Sequence, residues 1–158
     1  MSPFTIREAA PSDIDSLFHI RAHTRENAIP RAYLESIGIT ATAWAASLGS
    51  GTEQTWVCFD DETAVGFCGA DASTGEIVVI AVLPEYEGRG IGKSLLNRAV
   101  DWLRSRGWSR MWLATDPDPN GHAQRFYRSQ GWRPTGERQR RAGDEILVLE
   151  CPLTRAPQ

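Results

Sequence analysis

The sequence has little of several features that mark particular protein classes. Its 158 residues include only three cysteines, Cys58, Cys68 and Cys151, whose odd number and spacing match no zinc or redox motif. The 17 lysines and arginines are outnumbered by 20 acidic residues, giving a formal net charge of −3. An acidic balance does not suit a protein that coats nucleic acid, so we expect no nucleic-acid partner. The cysteines are expected to be reduced thiols.

Long hydrophobic runs are also absent. The longest one, Ile77 to Leu83, is far shorter than the about 20 apolar residues that a membrane-spanning helix needs. Residues 1–18 have neither the basic nor the apolar stretch of a secretion signal. We therefore expect no membrane partner and a cytoplasmic location. A chain of this length is expected to form a single domain, residues 1–158, with one core.

The apolar patterns predict strands mixed with helices. A strand is expected over residues 4–10, and a helix from about Asp13 past Arg21. Within residues 38–49, Thr40 is a plausible N-cap of a second helix. Residues 54–71 predict a β-hairpin around the turn "DDET".

The second half of the chain continues this alternation. Residues 75–84 predict a strand too apolar to face water, and so central in a sheet. Apolar residues recur every three to four positions over 90–106 and predict the strongest helix. A strand, a helix and a strand are then expected over 109–116, 120–131 and 144–151. The order indicates an α/β or α+β fold around one sheet.

The segment "EYEGRGIGKSLL" (85–96) places three glycines between the apolar strand and the strong helix. A glycine loop before a helix directs backbone N–H groups and the positive end of the helix dipole at an anion. Lys93, in the first helical turn, opposes that dipole unless an anion binds there too. From the residues alone, a tight turn without a ligand stays open.

Two nucleotide-binding motifs fit this loop poorly. A P-loop, G-x-x-x-x-G-K-[ST], would need glycine at position 87, where Glu87 stands. The dinucleotide motif G-x-G-x-x-G would need glycine at position 93, where Lys93 stands. Both nucleotide interpretations are weakened.

A third pattern fits better. The segment "IAVLPEYEGRGIGKSLL" (80–96) resembles the [QR]-x-x-G-x-[GA] segment of the GNAT N-acetyltransferase superfamily, although Glu87 replaces the usual Gln or Arg. The segment "NGHAQRFYRSQGW" (120–132) resembles that family's N-x-x-A-x-x-F-Y-x-x-x-G-[FW] motif. The resemblance spans about residues 54–132. It implies a GNAT-like single domain: a mixed, twisted sheet with helices on both faces.

The resemblance also implies acetyl-CoA as co-substrate. Its pyrophosphate would lie on the backbone amides of a run of residues: Arg89, Gly90, Ile91, Gly92, Lys93 and Ser94. The pantetheine arm would pair with the backbone of Ala81 and Val82 as an added strand does, with the thioester near Ile80–Val82. By the family pattern Asn120 would contact the pantetheine. Asn120, Ala123 and Tyr127 are spaced to share one face of the expected helix.

Two residues are candidates for proton transfer. By the family pattern, the Tyr127 hydroxyl faces the CoA sulfur as a donor or general acid. An attacking amine must lose a proton, and Glu76 is the candidate base. Strand alternation would place Glu76 on one face with Val78, Ile80 and Val82. A solvated Glu76, with proton removal through water, stays open as the alternative.

The acceptor is expected to be a primary amine on a small molecule, an amino acid, a peptide or a protein. Four polar residues could contact it: Arg25, Glu26, Asn27 and Tyr33. No metal is expected, because His19 and His23 lack an indicated third ligand. A homodimer stays open. The alternatives are a non-catalytic acyl-CoA-binding sensor and a P-loop-type nucleotide-binding protein.

Overall fold

A computed structural model of the protein describes residues 4–25, 28–139 and 143–151. Seven strands form one sheet: β1 (Phe4–Glu8), β2 (Glu53–Asp60), β3 (Thr63–Asp71), β4 (Glu76–Val82), β5 (Arg110–Thr115), β6 (Arg133–Arg138) and β7 (Glu145–Glu150). The α-helices are α1 (Ile14–Ala22), α2 (Arg31–Ser36), α3 (Ala41–Leu48), α4 (Ile91–Ser105) and α5 (His122–Ser129). Short 3-10 turns cover Pro11–Asp13 and Pro84–Tyr86.

The sheet has the order β1-β2-β3-β4-β5-β7-β6. Strands β4 and β5 pair in parallel, and the other neighbouring strands pair antiparallel. Strand β4 therefore lies at the centre, as its apolar sequence predicts. Its Val78 side chain is nevertheless 50% exposed, which corrects the expectation that neither face of this strand meets water.

Helices pack on both faces of the sheet. The apolar stripe of α4 covers one face, together with α5, and its buried residues are Ile91, Leu95, Leu96, Ala99, Val100 and Leu103. On the other face, Leu17 and Ile20 of α1 pack against Val57 and Phe67 of the hairpin. Burying these stripes is the main favourable term of folding. The predicted fold class is confirmed.

Local polar contacts fix the first helices. Asp13 accepts hydrogen bonds from Arg7 at 2.7 and 3.0 Å and from the Ala10 N–H at 2.7 Å. These bonds tie the start of α1 to β1. The Thr40 hydroxyl accepts from the Ala43 N–H at 3.1 Å, which is the N-cap that the sequence predicts for α3.

Two elements were not predicted. Helix α2 has six residues, of which only Leu34 is buried, so it lacks an apolar stripe. Strand β6 is an exposed edge strand containing Pro134 and Gly136, residues that are depleted in strands. In the described ranges, none of the helices is both long and apolar enough to span a membrane.

Candidate active site

The sheet opens between β4 and β5. In the described part of the chain, their ladder consists of the single pair Glu76 and Trp112, supported by a 3.1 Å bond from the Trp112 N–H to the Gly75 carbonyl. Beyond this pair the two parallel strands diverge. Beyond Ile77, the β5-facing edge of β4 therefore has no ladder partner among the described residues.

The direction of those backbone groups follows from the pairing with β3. The Leu83 N–H donates to the Val65 carbonyl at 2.9 Å, and backbone groups alternate between the two edges of a strand. The Ala81 N–H therefore points to β3, where Ala81 pairs with Phe67. Ile80 and Val82, rather than Ala81, present their backbone groups to the opening.

A cleft of about 1020 Å³ occupies this opening. Its walls come from the end of α1, β4, the glycine loop, the start of α4, the end of β5 and α5. Ile80, Ala81 and Val82 line it, as do Gly90, Ile91, Gly92 and Lys93. The structure thus brings most of the predicted cofactor residues to one cavity.

The glycine loop has the backbone shape that its sequence requires. Gly88 and Gly90 have φ angles of 76° and 83°, a left-handed conformation that favours glycine. A Cβ on either one would meet open space. A Cβ on Gly92 would lie 3.3 Å from the Phe126 ring, so the third glycine lets α4 and α5 pack closely.

The start of α4 supplies unpaired N–H groups. Its first turn closes when the Ser94 N–H donates to the Gly90 carbonyl at 3.0 Å. The N–H groups preceding Ser94 have no partner within the helix. An anion at this end would therefore bind the amides from Arg89 to Lys93, while the Ser94 amide is already used. The guanidinium of Arg89 lies over the Tyr86 ring at 5.0 Å.

Tyr127 lines the cleft from α5 and is almost fully buried. Its ring packs against Phe126 and Trp132 at centroid distances of 5.4 and 6.3 Å. Burial raises the pKa of the Tyr127 phenol, Cys68 adds to the rise, and the Arg21 guanidinium opposes it. The hydroxyl therefore keeps its proton at neutral pH and can donate a hydrogen bond into the cleft.

Asn120 lies elsewhere than expected. Helix α5 begins at His122 with Gly121 as its N-cap, so Asn120 precedes the helix and does not share a helical face with Ala123 and Tyr127. Its side chain is exposed, and its N–H donates to an Asp118 carboxylate oxygen at 3.0 Å. The residue is held in a turn because Asp118 provides an acceptor two positions earlier.

Glu76 lies where β4 and β5 still pair, next to Ile77 of the cleft wall but not itself among the residues that line the cleft. Burial raises the pKa of its carboxyl to about 7, and the carboxylates of Asp71 and Glu53 add to the rise. A group with this pKa is suited to accept a proton near neutral pH.

The predicted orientation of Glu76 is wrong. The β3–β4 register shifts between Gly69 and Ala70, which pair with Val79 and Ile77 and leave Val78 as an extra residue. A bulge of this kind reverses the alternation beyond it. Glu76 consequently lies on the α1 face, opposite to the face of Ile80 and Val82.

The residues predicted to contact an acceptor are spread out. Arg25 lines the cleft, whereas Tyr33 lies on α2 with 55% of its surface exposed. Glu26 and Asn27 lie outside the described residues. His19 and His23 stack at 4.2 Å, and within the described ranges no group of three or more His, Cys, Asp or Glu side chains could hold a metal ion.

A model of the acetyltransferase (GNAT) family matches residues 14–132 of this chain. The chain belongs to the GNAT acetyltransferase family. The resemblance inferred from the two sequence motifs is thereby confirmed, and the match extends further towards the N-terminus than the motifs do. It includes α1, whose end forms one wall of the cleft.

Curated GNAT relatives match shorter segments. Over 64 residues the chain is 44% identical to a mycothiol acetyltransferase of Beutenbergia cavernae, covering 40% of this chain and 21% of that protein. Over 84 residues it is 36% identical to an uncharacterized N-acetyltransferase of Archaeoglobus fulgidus, covering 46% of this chain and 55% of that protein. The chain thus spans between 21% and 55% of these relatives' lengths.

Solved GNAT structures share the fold over nearly the whole chain. The PaiA N-acetyltransferase of Thermoplasma acidophilum, in complex with coenzyme A, has a TM-score of 0.78 at 22% identity and covers 95% of this chain and 99% of its own. Ard1 of Thermoplasma volcanium has a TM-score of 0.72 at 20% identity, with coverage of 95% and 99%. These similarities support the fold.

Several cleft residues of this GNAT protein were missed from the sequence. They are Arg21, Thr24, Asp116, Asp118, His122, Arg125, Gln130 and Asp144. Arg21 stands out because burial lowers the pKa of its guanidinium, against the effect of the neighbouring Tyr127. A signal was present: a basic residue at the end of an otherwise apolar helix face. That Arg21 lines the cleft follows only from the way in which α1 packs.

Proposed function

We propose that this protein is an acetyl-CoA-dependent N-acetyltransferase that acetylates a primary amine. The observation that carries the proposal is one continuous cleft. It joins the unpaired edge of β4, the N-terminal amides of α4 and the buried hydroxyl of Tyr127. Membership of the GNAT family supports the same activity.

The residues of the cleft fit acetyl-CoA. The amides from Arg89 to Lys93 and the positive end of the α4 dipole suit a pyrophosphate. The free backbone groups of Ile80 and Val82 suit the amide groups of a pantetheine arm, which would extend the sheet at this edge. The spread of β4 and β5 leaves room for such an arm.

The catalytic roles fall to Tyr127 and Glu76. Bound acetyl-CoA supplies an acetyl group activated as a thioester. The Tyr127 hydroxyl, which remains protonated, donates its proton towards the position of the leaving sulfur. Glu76, which adjoins the lining residue Ile77, removes the proton that an ammonium acceptor must lose, either directly or through water.

The acceptor side is proposed to include the end of α1 and the chain that follows it. Arg21 and Thr24 line the cleft there. A small amine, an amino acid, a peptide and a protein amine are all compatible with an opening of this size. We further propose that residues 1–158 act as one cytoplasmic domain without a metal. Whether two copies form a dimer is a separate question, which analytical sedimentation would answer.

Calorimetric titration with acetyl-CoA and, separately, with Mg-ATP tests the cofactor assignment. The wild-type protein is expected to bind acetyl-CoA and not Mg-ATP. Gly90→Glu should abolish binding, because the new carboxylate occupies the anion site. Gly107→Glu is the matched control: Gly107 also has a positive φ, 98°, but lies beyond the opposite end of α4. ATP binding in place of acetyl-CoA would refute the proposal and favour a P-loop protein.

Turnover separates the enzyme from an acyl-CoA-binding sensor. A panel of primary amines is assayed for release of the CoA thiol. An enzyme releases thiol with at least one amine and slows when Tyr127 is replaced by Phe. A protein that binds acetyl-CoA, but releases no thiol with any amine of the panel, would instead be a sensor.

A further inference from the structure

Glu87 makes contacts that its sequence position does not explain. Its two carboxylate oxygens share the single Nε–H donor of Arg25, at 3.2 and 3.0 Å. The Nε2 atom of His122 lies 3.5 Å from the same carboxylate. Arg25 follows α1 and His122 begins α5, so Glu87 links two separate parts of the cleft wall. All three residues line the cleft.

The carboxylate is mostly shielded from water. The Glu87 side chain is 17% exposed, against 58% for Arg25 and 52% for His122. The immediate neighbour of Glu87 along the chain is Gly88, the start of the loop whose amides suit an anion. A lone carboxylate there would repel a diphosphate.

The side chains of Arg25 and His122 change the charge that an anion would meet beside Glu87. Arg25 offsets the charge of Glu87, and a protonated His122 would leave the group with a net positive charge. Both side chains remain more than half exposed, so their other N–H donors stay available. Arginine N–H groups hydrogen-bond well to phosphate oxygens.

We propose that Glu87 is a positioning residue, which holds Arg25 and His122 beside the glycine loop as ligands for the diphosphate of the acyl-CoA. This inference rests on the proposed function. It gives Glu87 an indirect role in place of the direct contact that a Gln or Arg could make. It also moves Arg25 from the acceptor side to the cofactor side.

The direction in which Glu87→Gln changes the affinity for CoA tests the proposal. Glu87→Gln removes a negative charge near an anionic ligand, and electrostatics alone predicts tighter binding of CoA. If Glu87 positions Arg25 and His122, CoA binding weakens instead, by about fivefold, which corresponds to the upper end of the value of one exposed ion pair. Glu85→Gln is the matched control, because Glu85 is exposed and outside the cleft lining. Equal or tighter CoA binding by Glu87→Gln overturns the proposal.

A double-mutant cycle tests whether Glu87 acts through Arg25. Arg25→Gln is expected to weaken CoA binding about fivefold in the wild-type background. In the Glu87→Gln background the same change should have an effect below about twofold, because Arg25 is no longer held. The same factor in both backgrounds would show that Arg25 acts independently of Glu87, and would overturn the positioning role.

Dephospho-CoA identifies the phosphate involved. It keeps the diphosphate and lacks the 3′-phosphate of the ribose. Equal weakening of CoA and dephospho-CoA by Arg25→Gln supports contact with the diphosphate. Weakening confined to CoA overturns that placement. Failure of the wild-type protein to bind either ligand would refute the proposed function itself, whereas wild-type binding with unaffected variants refutes this inference alone.

Discussion

The two edges of β4 differ in their backbone hydrogen bonding. One edge pairs with β3 from Gly66 and Val82 to Asp71 and Glu76. The other edge pairs with β5 only at Glu76 in the described part of the chain. The first edge gives the sheet its stability, and the second leaves backbone donors and acceptors for a ligand. One strand can therefore carry both roles, because its backbone groups alternate in direction.

The opening has a cost that the rest of the molecule must offset. Unpaired backbone groups at the centre of a sheet lose the hydrogen bonds that their neighbours keep. The cleft admits water, which limits that loss. The buried stripe of α4 shares one core cluster with Ile77 of β4 and with Met111 and Leu113 of β5, so packing joins the two strands where the ladder does not.

The largest expected effect comes from proline placed at the two edges. Ala81→Pro removes an N–H directed at β3 and leaves a buried carbonyl without its donor, so we expect unfolding to become easier by about 3 kcal/mol. Ile80→Pro removes an N–H directed at the cleft, and should cost less stability but weaken acetyl-CoA binding. Urea denaturation and calorimetry measure the two quantities. Equal losses of stability would contradict the assignment of the edges.

The next effect concerns chemistry in the opening. Tyr127→Phe keeps the packing of the ring against Phe126 and Trp132 and removes the proton donor, so kcat should fall about 100-fold while the affinity for acetyl-CoA is unchanged. Stopped-flow or steady-state release of the CoA thiol gives kcat. Tyr33→Phe, a change of the same size on the exposed helix α2, should leave kcat unaltered. A Tyr127→Phe enzyme with normal kcat would remove the general-acid role.

A smaller effect is expected where β4 and β5 still pair. Because the pKa of Glu76 is about 7, wild-type kcat should rise with pH through that value as the carboxylate forms. Glu76→Gln should lower kcat about tenfold at pH 8 and abolish this rise. Asp71→Asn removes a neighbouring charge and should move the midpoint to lower pH. If Asp71→Asn does not move the midpoint of the pH profile, then the profile reports another group, such as the amine itself.

The same carboxyl predicts a stability change with a definite sign. Folding raises the pKa of Glu76 from 4.5 to about 7, so the folded state binds more protons between these values. The stability gained from this group is present below pH 4.5 and is lost as pH rises through 7. Glu76→Gln should therefore raise Tm at pH 8 and have little effect at pH 4, which thermal melts at the two pH values would measure.

The sequence predicts the helices, strands and turns around β4 better than it predicts the open edge of that strand. The hairpin, α4 and the glycine loop follow from local patterns: a polar turn, a helical period, and glycines at positive φ. The opening beside β4 does not, because it depends on how β5 lies relative to β4, which is a tertiary arrangement and not a local pattern. The bulge at Val78 is likewise invisible in an unbroken apolar run, and it reverses the face of Glu76.

Site residues on separate elements were equally hard to predict. Asn120 fits a motif but precedes α5, since Gly121 takes the N-cap position. The contacts of Glu87 with Arg25 and His122 join residues far apart in sequence. Composition and spacing carry no information about such pairs, whereas the motif around Tyr127 lies on a single helix, and Tyr127 lines the cleft as a residue of that helix.

The smallest expected effect distinguishes neighbouring valines of β4. Val78 is 50% exposed at the bulge, so Val78→Thr should change the free energy of unfolding by less than about 0.5 kcal/mol. Val79 packs against the cluster of Leu17 and Phe67, and Val79→Thr should cost about 1–2 kcal/mol, because the hydroxyl enters an apolar site. Urea denaturation compares the two. If both changes cost the same, then Val78 is buried in solution, and the bulge that sets the orientation of Glu76 is absent there.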